Sequence, residues 1–406
     1  MTVLLGKWGN QSISLSIKAS CITLSLSGNR EDYVISFDYE GRLWTAMIEN
    51  VSYRRGLDGK IITKWIDQNQ LRSRRWLTKS EASRTEVRAA SKALGFLQAL
   101  EQKKIKLSGN LPSDAKRVLE KASQYPNNRS SADIQQYHQI YKPVGILPPD
   151  QYFSVVLQAT EGCSFNTCTF CDFFHDRPFH IKTAAEFDEH CLNVHQFLGE
   201  GLSLRRTVFL GDANALVIPM EKLVPIIGIV QKNFDVENLG GIFSFLDGFS
   251  GEKKSAQDYA ILTSLGLRRV YIGMESGNGE LLRFLHKPGV PEDVVDAVKA
   301  LKSGGISVGI IVLLGAGGEY FNRKHVDDTI NVINEMQLDM EDILYFSELI
   351  IGEDLQYTRD AFQHRLGILN DYHKTIQADE IERNLVFRNA EETPHISRYD
   401  IREFVY

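Results

Sequence analysis

The chain has 406 residues, 43% apolar, 24% charged and 10% aromatic, the composition of a soluble globular protein with room for two or three domains. No apolar run reaches the ~18–20 residues that a membrane-spanning helix needs. The start, MTVLLGKWGNQS, lacks the apolar core and cleavage site of a secretory signal, so a cytoplasmic location without a membrane partner is expected. The formal charge of −6 gives no global attraction to nucleic acid or anionic membrane, which leaves any such role to local patches.

Residues 1–67 predict a small β-rich module. Ser12–Ile17 and Ile22–Leu26 alternate polar with apolar residues, the period of a half-buried strand. Trp8, Trp44 and Trp65 suit its core or its contact with the rest of the protein, with an aromatic substrate platform as the alternative. The most basic stretch is Leu71-Arg72-Ser73-Arg74-Arg75-Trp76, with Arg54-Arg55 upstream. It is either a solvated face or a nucleic-acid contact. Residues 68–149 predict a helical segment and linker. Ala89, Ala90, Leu94, Leu97 and Leu100 recur at helical spacing, residues 124–131 read as a polar linker, and the prolines at 143, 148 and 149 require extended chain.

A new rhythm occupies residues 150–350. Apolar runs at Phe153–Ala159, Arg206–Leu210, Gly241–Leu246, Arg269–Met274, Ile306–Leu314 and Ile343–Ile350 alternate with helix-like segments. Thr183 and Glu186 form a capping-box pattern, Ser255 and Asp258 open another helix, and Pro291 and Gly304-Gly305 bracket a third. Strands alternating with helices make an α/β domain on a parallel sheet, open or curved. Residues 351–406 predict a helical extension that turns irregular near Pro394, with Tyr399–Phe404 placed to pack on the sheet's mouth.

Of five cysteines, Cys21 and Cys191 stand alone and suit apolar packing. Cys163, Cys168 and Cys171 share one loop directly after the first strand of the α/β region, the rim where such folds gather ligands. Thiolates at this spacing suit an iron–sulfur cluster, or zinc with His175 or His180 as a fourth ligand. His175, Asp176, Arg177 and His180 either line the site or solvate the loop.

A three-cysteine loop after the first strand of a six-unit βα domain, with Phe170 before the last cysteine, resembles the radical S-adenosylmethionine (SAM) superfamily. The commonest family spacing puts three residues between the first two cysteines; this chain has four. The resemblance covers residues 150–350 and implies a partial (βα)6 barrel. It further implies a [4Fe–4S] cluster on Cys163, Cys168 and Cys171, with SAM chelating the fourth iron. Phe170 would lie near the adenine. Gly211, Asp212 and Ala213 would hold the SAM ammonium, Glu275 and Ser276 its ribose or methionine portion, and the strand carrying Ile311 and Gly315 its adenine. The activity implied is reductive cleavage of SAM to a 5′-deoxyadenosyl radical that abstracts hydrogen from a substrate, fed by a one-electron reductant such as flavodoxin or ferredoxin. A non-catalytic iron–sulfur protein and a zinc-binding interaction module are the alternatives. The sequence contains neither a second cysteine cluster nor an Asp-x-His-x-x-Gly cobalamin motif. Substrate (small molecule, peptide or RNA) and oligomeric state stay open.

Overall fold

The computed structural model describes residues 1–28, 32–249, 253–352, 354–387 and 393–406. They fall into two units, one formed by 1–144, 192–206 and 405–406, the other by 145–191 and 207–404.

In the first unit the alternating segments become β1 (Thr2–Trp8), β2 (Gln11–Ile17), β3 (Ile22–Ser27), β4 (Tyr33–Phe37), β5 (Leu43–Ile48), β6 (Val51–Arg55), β7 (Ile61–Ile66) and β8 (Arg72–Trp76). With β9 (Ile105–Leu107) added beside β1, the described residues form a nine-stranded antiparallel sheet in the order β8-β7-β6-β5-β4-β3-β2-β1-β9. Because successive side chains point to opposite faces, Leu4, Ile13, Leu15, Leu24 and Ile35 all bury on one side. There they meet α1 (Lys79–Glu101) and α2 (Ser113–Asn128) through Ala93, Phe96, Val118 and Leu119. Thr78 and Glu81 cap α1 reciprocally, with Thr78 N–H donating to Glu81 Oε2 at 2.8 Å and Glu81 N–H to Thr78 Oγ1 at 3.3 Å. The tryptophans, Trp8, Trp44, Trp65 and Trp76, all lie on strands of this sheet.

The polar stretch 124–131 is helical, not a linker: α2 runs to Asn128 and α3 (Ser130–Ile140) follows. Gln124, Asn127 and Asn128 are exposed while Tyr125 is buried under the Arg55 guanidinium. Tyr125 continues the buried stripe of Ala115, Val118, Leu119 and Ala122 and so holds the polar end of α2 down.

The second unit holds β10 (Ser154–Gln158), the two-residue strands β11 (Thr160–Glu161) and β12 (His180–Ile181), α4 (Ala184–Leu198, whose last turns belong to the first unit), β13 (Thr207–Gly211), α5 (Met220–Asn233), β14 (Ile242–Phe245), α6 (Ala256–Ser264) and β15 (Leu267–Glu275). There follow α7 (Gly279–Phe284), α8 (Pro291–Ser303), β16 (Ser307–Leu314), α9 (Gly318–Met336), β17 (Ile343–Glu348), α10 (Gln356–Gln363), α11 (Asp371–Arg383) and β18 (His395–Tyr399). Its main sheet is parallel, in the order β10-β13-β14-β15-β16-β17-β18. Right-handed crossovers that always step the same way put their helices on one face. The other face then curls into an open, partial barrel. The tail that reads as irregular near Pro394 supplies the seventh strand, β18.

Inward-facing aromatics plug the amino end of this barrel. Phe209, Phe245 and Tyr271 meet edge to face or tilted, with centroids 5.1–6.2 Å apart. The hydroxyls of Tyr271 and Tyr345 converge on Asp150, Tyr345 donating at 2.8 Å. Gly309 makes this possible, since a Cβ there would collide with the Tyr271 ring. The plug leaves the carboxyl end of the strands as the open one. No helix among the described residues is long and apolar enough to cross a membrane.

Candidate active site

The cysteine loop leaves β10 and β11 through Gly162, whose φ of +78° and close approach to Pro178 O exclude a side chain. Its N–H donates to Asp212 Oδ2 at 3.2 Å, just past the end of β13. Asn166 turns the loop at φ +53°, with its N–H 3.4 Å from Cys163 Sγ and its Nδ2 donating to Phe174 O at 3.1 Å. Thr169 N–H donates to Leu285 O at 3.0 Å, Thr167 Oγ1 to His286 O at 3.1 Å, and Tyr357 N–H to Thr169 O at 2.9 Å. The loop is therefore clamped at both ends by the core.

Cys163, Cys168 and Cys171 are free thiols, half-buried, whereas Cys21 and Cys191 are buried in packed surroundings. All three line one cavity of about 550 Å³ at the carboxyl end of the strands. Burial pushes the Cys168 thiol up to about 11, with Lys287 pulling the other way, and Cys171 up to about 12. A metal that binds here must displace those protons. Soft sulfur donors in a mostly apolar pocket fit an iron–sulfur cluster. Among the described residues no group of three His, Cys, Asp or Glu is placed to hold a single metal ion; a cubane instead takes each thiolate on a different iron.

Opposite the thiols, Glu275 sits at the end of β15 with φ +62°, where the β15–β16 register shifts. Its Oε1 accepts from Lys287 Nζ at 3.1 Å, and both side chains are nearly buried. Burial works against the Lys287 charge, but Glu275 and Cys168 outweigh it and raise its pKa. Asn214 Nδ2 donates to Asp247 Oδ2 at 2.7 Å on the neighbouring wall. Apolar and aromatic residues make up much of the remaining wall, including Phe165 and Phe249 in edge contact at 5.0 Å, with Asp172, Ser347, Glu348, Asp354 and Arg402 among its polar members. A recess of about 620 Å³ at the ends of α8 and α9 is larger but polar, lined by Lys302, Glu335 and Asp339 and no thiol.

The cavity brings together Cys163, Cys168, Phe170, Cys171, Ala213, Glu275 and Ile311. Gly211, Asp212, Ser276 and Gly315 do not line it. Asp212 is committed elsewhere: it accepts from Gly162 N–H and Gln158 Nε2, and Arg177 Nη2 lies 3.2 Å away. Burial pushes its carboxyl up to about 6 although Arg177 opposes the shift. Ser276, one residue past the inward-facing Glu275, points to the other side, where its Oγ meets His325 Nδ1 at 2.7 Å. Gly315 turns away at φ +82° against Lys374 and donates its N–H to Gln377 Oε1 at 2.8 Å. His175, Asp176 and His180 are exposed, while Arg177 is buried beside Asp212. Tyr399, Ile401 and Arg402 do reach the cavity mouth. Lys287, Asn214 and Asp247 were not legible as site residues. For Asp247 and Asn214 the position just beyond a parallel strand is the usable signal; Lys287 has none.

A parallel, partly closed α/β barrel thus carries three free thiols around a cavity at its carboxyl rim. Residues 157–333 match the family model described as the radical SAM superfamily. No curated protein matches it. Among solved structures it is similar to coproporphyrinogen III oxidase from Escherichia coli, described as a radical SAM enzyme, at 14% identity and TM-score 0.42, covering 55% of this chain and 50% of that one. Methylornithine synthase matches at 16% identity and TM-score 0.39, over 56% of this chain and 61% of that one. SuiB from Streptococcus suis matches at 13% identity and TM-score 0.38, over 86% and 71%. The chain thus spans half the length of the first of these and about three fifths of the second.

Proposed function

We propose that this chain is a SAM-cleaving radical enzyme whose cluster is ligated by Cys163, Cys168 and Cys171. The observation that carries the reading is the gathering of those thiols, Phe170 and Glu275 around one cavity inside the matched domain. When bound, the cluster supplies one electron and SAM supplies the 5′-deoxyadenosyl group that takes hydrogen from a substrate.

The chain's own residues then have separable tasks. Gly162 and Asp212 set the angle at which the loop presents Cys163. Phe170 and Ile311 offer apolar surface to the adenine, and main-chain groups at Ala213 face the ammonium. Glu275 accepts from ribose hydroxyls, the same physics by which a carboxylate holds ribose in dinucleotide folds. Lys287 gives the nearly buried Glu275 its ion-pair partner. Phe165, Phe249 and the apolar strand ends keep water out.

Anaerobic reconstitution with iron and sulfide should load about four irons per chain, with visible charge-transfer absorption, and reduction in the presence of SAM should release 5′-deoxyadenosine. Each Cys→Ala change at 163, 168 or 171 should abolish the absorption, whereas Cys191→Ala should keep it. Iron loading without nucleoside release would leave a non-catalytic iron–sulfur protein. Stoichiometric zinc without the absorption would make it a zinc module.

A further inference from the structure

Four residues separate Cys163 from Cys168, and Asn166 decides how that spacer folds. Its backbone lies at φ +53°, a left-handed conformation that Asn adopts more readily than other side chains do. The turn brings the Asn166 N–H back to Cys163, 3.4 Å from Sγ. The side chain fixes the same turn from its other end. Nδ2 donates to Phe174 O at 3.1 Å, eight residues on and beyond the last of the three cysteines. Asn166 is half-buried and does not line the cavity, so it meets the sulfur from the loop side and takes up no room inside.

Each of the three thiols has a different favourable neighbour in the chain. Cys168 has the Lys287 charge, Cys171 has the Phe173 N–H, and Cys163 has the Asn166 N–H. The Phe173 donor lies two residues past its sulfur, within reach of the local turn. The Asn166 donor is held by a side chain that reaches across the loop, so one substitution can release it. A thiolate on iron gains negative charge when the cluster takes up an electron. An N–H at that sulfur therefore favours the reduced state and raises the reduction potential.

From this geometry we infer that Asn166 is a positioning residue that raises the potential of the cluster by holding its N–H on the Cys163 sulfur. The inference rests on the cluster proposed above. A higher potential makes the cluster easier for an external one-electron donor to reduce and leaves less driving force for cleaving SAM. Asn166 thus sets the balance between the two steps.

The test is an anaerobic redox titration of the reconstituted full chain without SAM, with the reduced cluster followed by electron paramagnetic resonance. Asn166→Gly keeps the left-handed turn accessible and removes the anchor to Phe174. It should load the same iron as wild type, with a one-electron reduction about ten-fold less favourable, a midpoint lower by ~59 mV. Thr167→Val is the comparison. It removes another bond of the same loop, Thr167 Oγ1 to His286 O at 3.1 Å, and should keep the wild-type midpoint. Exchange into deuterium oxide gives a second readout: the iron–thiolate Raman bands should shift in wild type and shift less in Asn166→Gly. If Asn166→Gly binds no cluster, Asn166→Ala is titrated in its place. An unchanged midpoint overturns the proposal, and so do equal shifts in Asn166→Gly and Thr167→Val, which would trace the effect to a loosened loop. Loss of the cluster from both Asn166 variants overturns it too, since a residue that only positions an N–H leaves the three ligands whole. A wild-type chain that takes up no iron fails earlier, at the cluster itself, and takes this proposal with it.

Discussion

His325 gives the core domain an acid-sensitive joint. It lies on α9, fully buried, with Nδ1 against Ser276 Oγ and Nε2 buried without a partner among the described residues. Burial lowers its pKa from 6.5 to about 4. Above the unfolded value both states hold the neutral ring, and the stability is fully present. As pH falls from 6.5 towards 4, the unfolded chain takes up a proton that the folded one refuses. Stability is then lost at ~1.4 kcal/mol per pH unit, about 3 kcal/mol across the window, and no further below it. Urea unfolding of the reconstituted protein at about pH 7.5 and about pH 5 should therefore differ by ~2 kcal/mol from this residue alone. Pulse proteolysis, scored on peptides from β15 and α9, reads the second unit directly. His325→Gln has its own cost, from the altered contact with Ser276, but that cost is the same at both pH values. What the variant removes is the slope. If the gap between wild type and His325→Gln is identical at the two pH values, the buried neutral imidazole is not what makes this domain acid-sensitive.

Two further perturbations test the plug and the buried pair. Gly309→Ala drives a methyl into the Tyr271 ring and should cost ~1–3 kcal/mol; combined with Tyr271→Leu it should show a coupling of at least ~1 kcal/mol in denaturant midpoints, and simple additivity would contradict the contact. Lys287→Met leaves the Glu275 carboxylate nearly buried without its cation and should cost ~3 kcal/mol, the low end for a broken buried pair because some exposure remains. Adding Glu275→Gln should restore most of that stability without restoring SAM affinity, measured by calorimetry; a double variant as unstable as the single one would show that the pair is not the cause.

Periodicity revealed β10 and β13 to β17, because strands buried on both faces are written as continuous apolar runs. It missed β18, whose sequence His-Ile-Ser-Arg-Tyr borders solvent and carries no such run. The ends of α2 and α3 that meet within 124–131 were hidden for the same reason, the buried ring of Tyr125 lying among polar residues. Cysteine spacing exposed the three thiols because a chelating loop is local in sequence. The second wall of the site is not local. Lys287 reaches Glu275 only because α7 returns the chain to the rim. Glu275 and Ser276 part company at the end of β15, where Glu275 takes φ +62° beside a register shift, a local turn that periodicity does not reveal.

All four tryptophans sit on the antiparallel sheet, and the barrel domain has none. Indole emission is therefore a private channel for the amino-terminal unit, while iron–sulfur absorption would report only on the other. Melting of either half can be watched in one cuvette without labels. A ligand that quenches Trp76 will announce which half it has met.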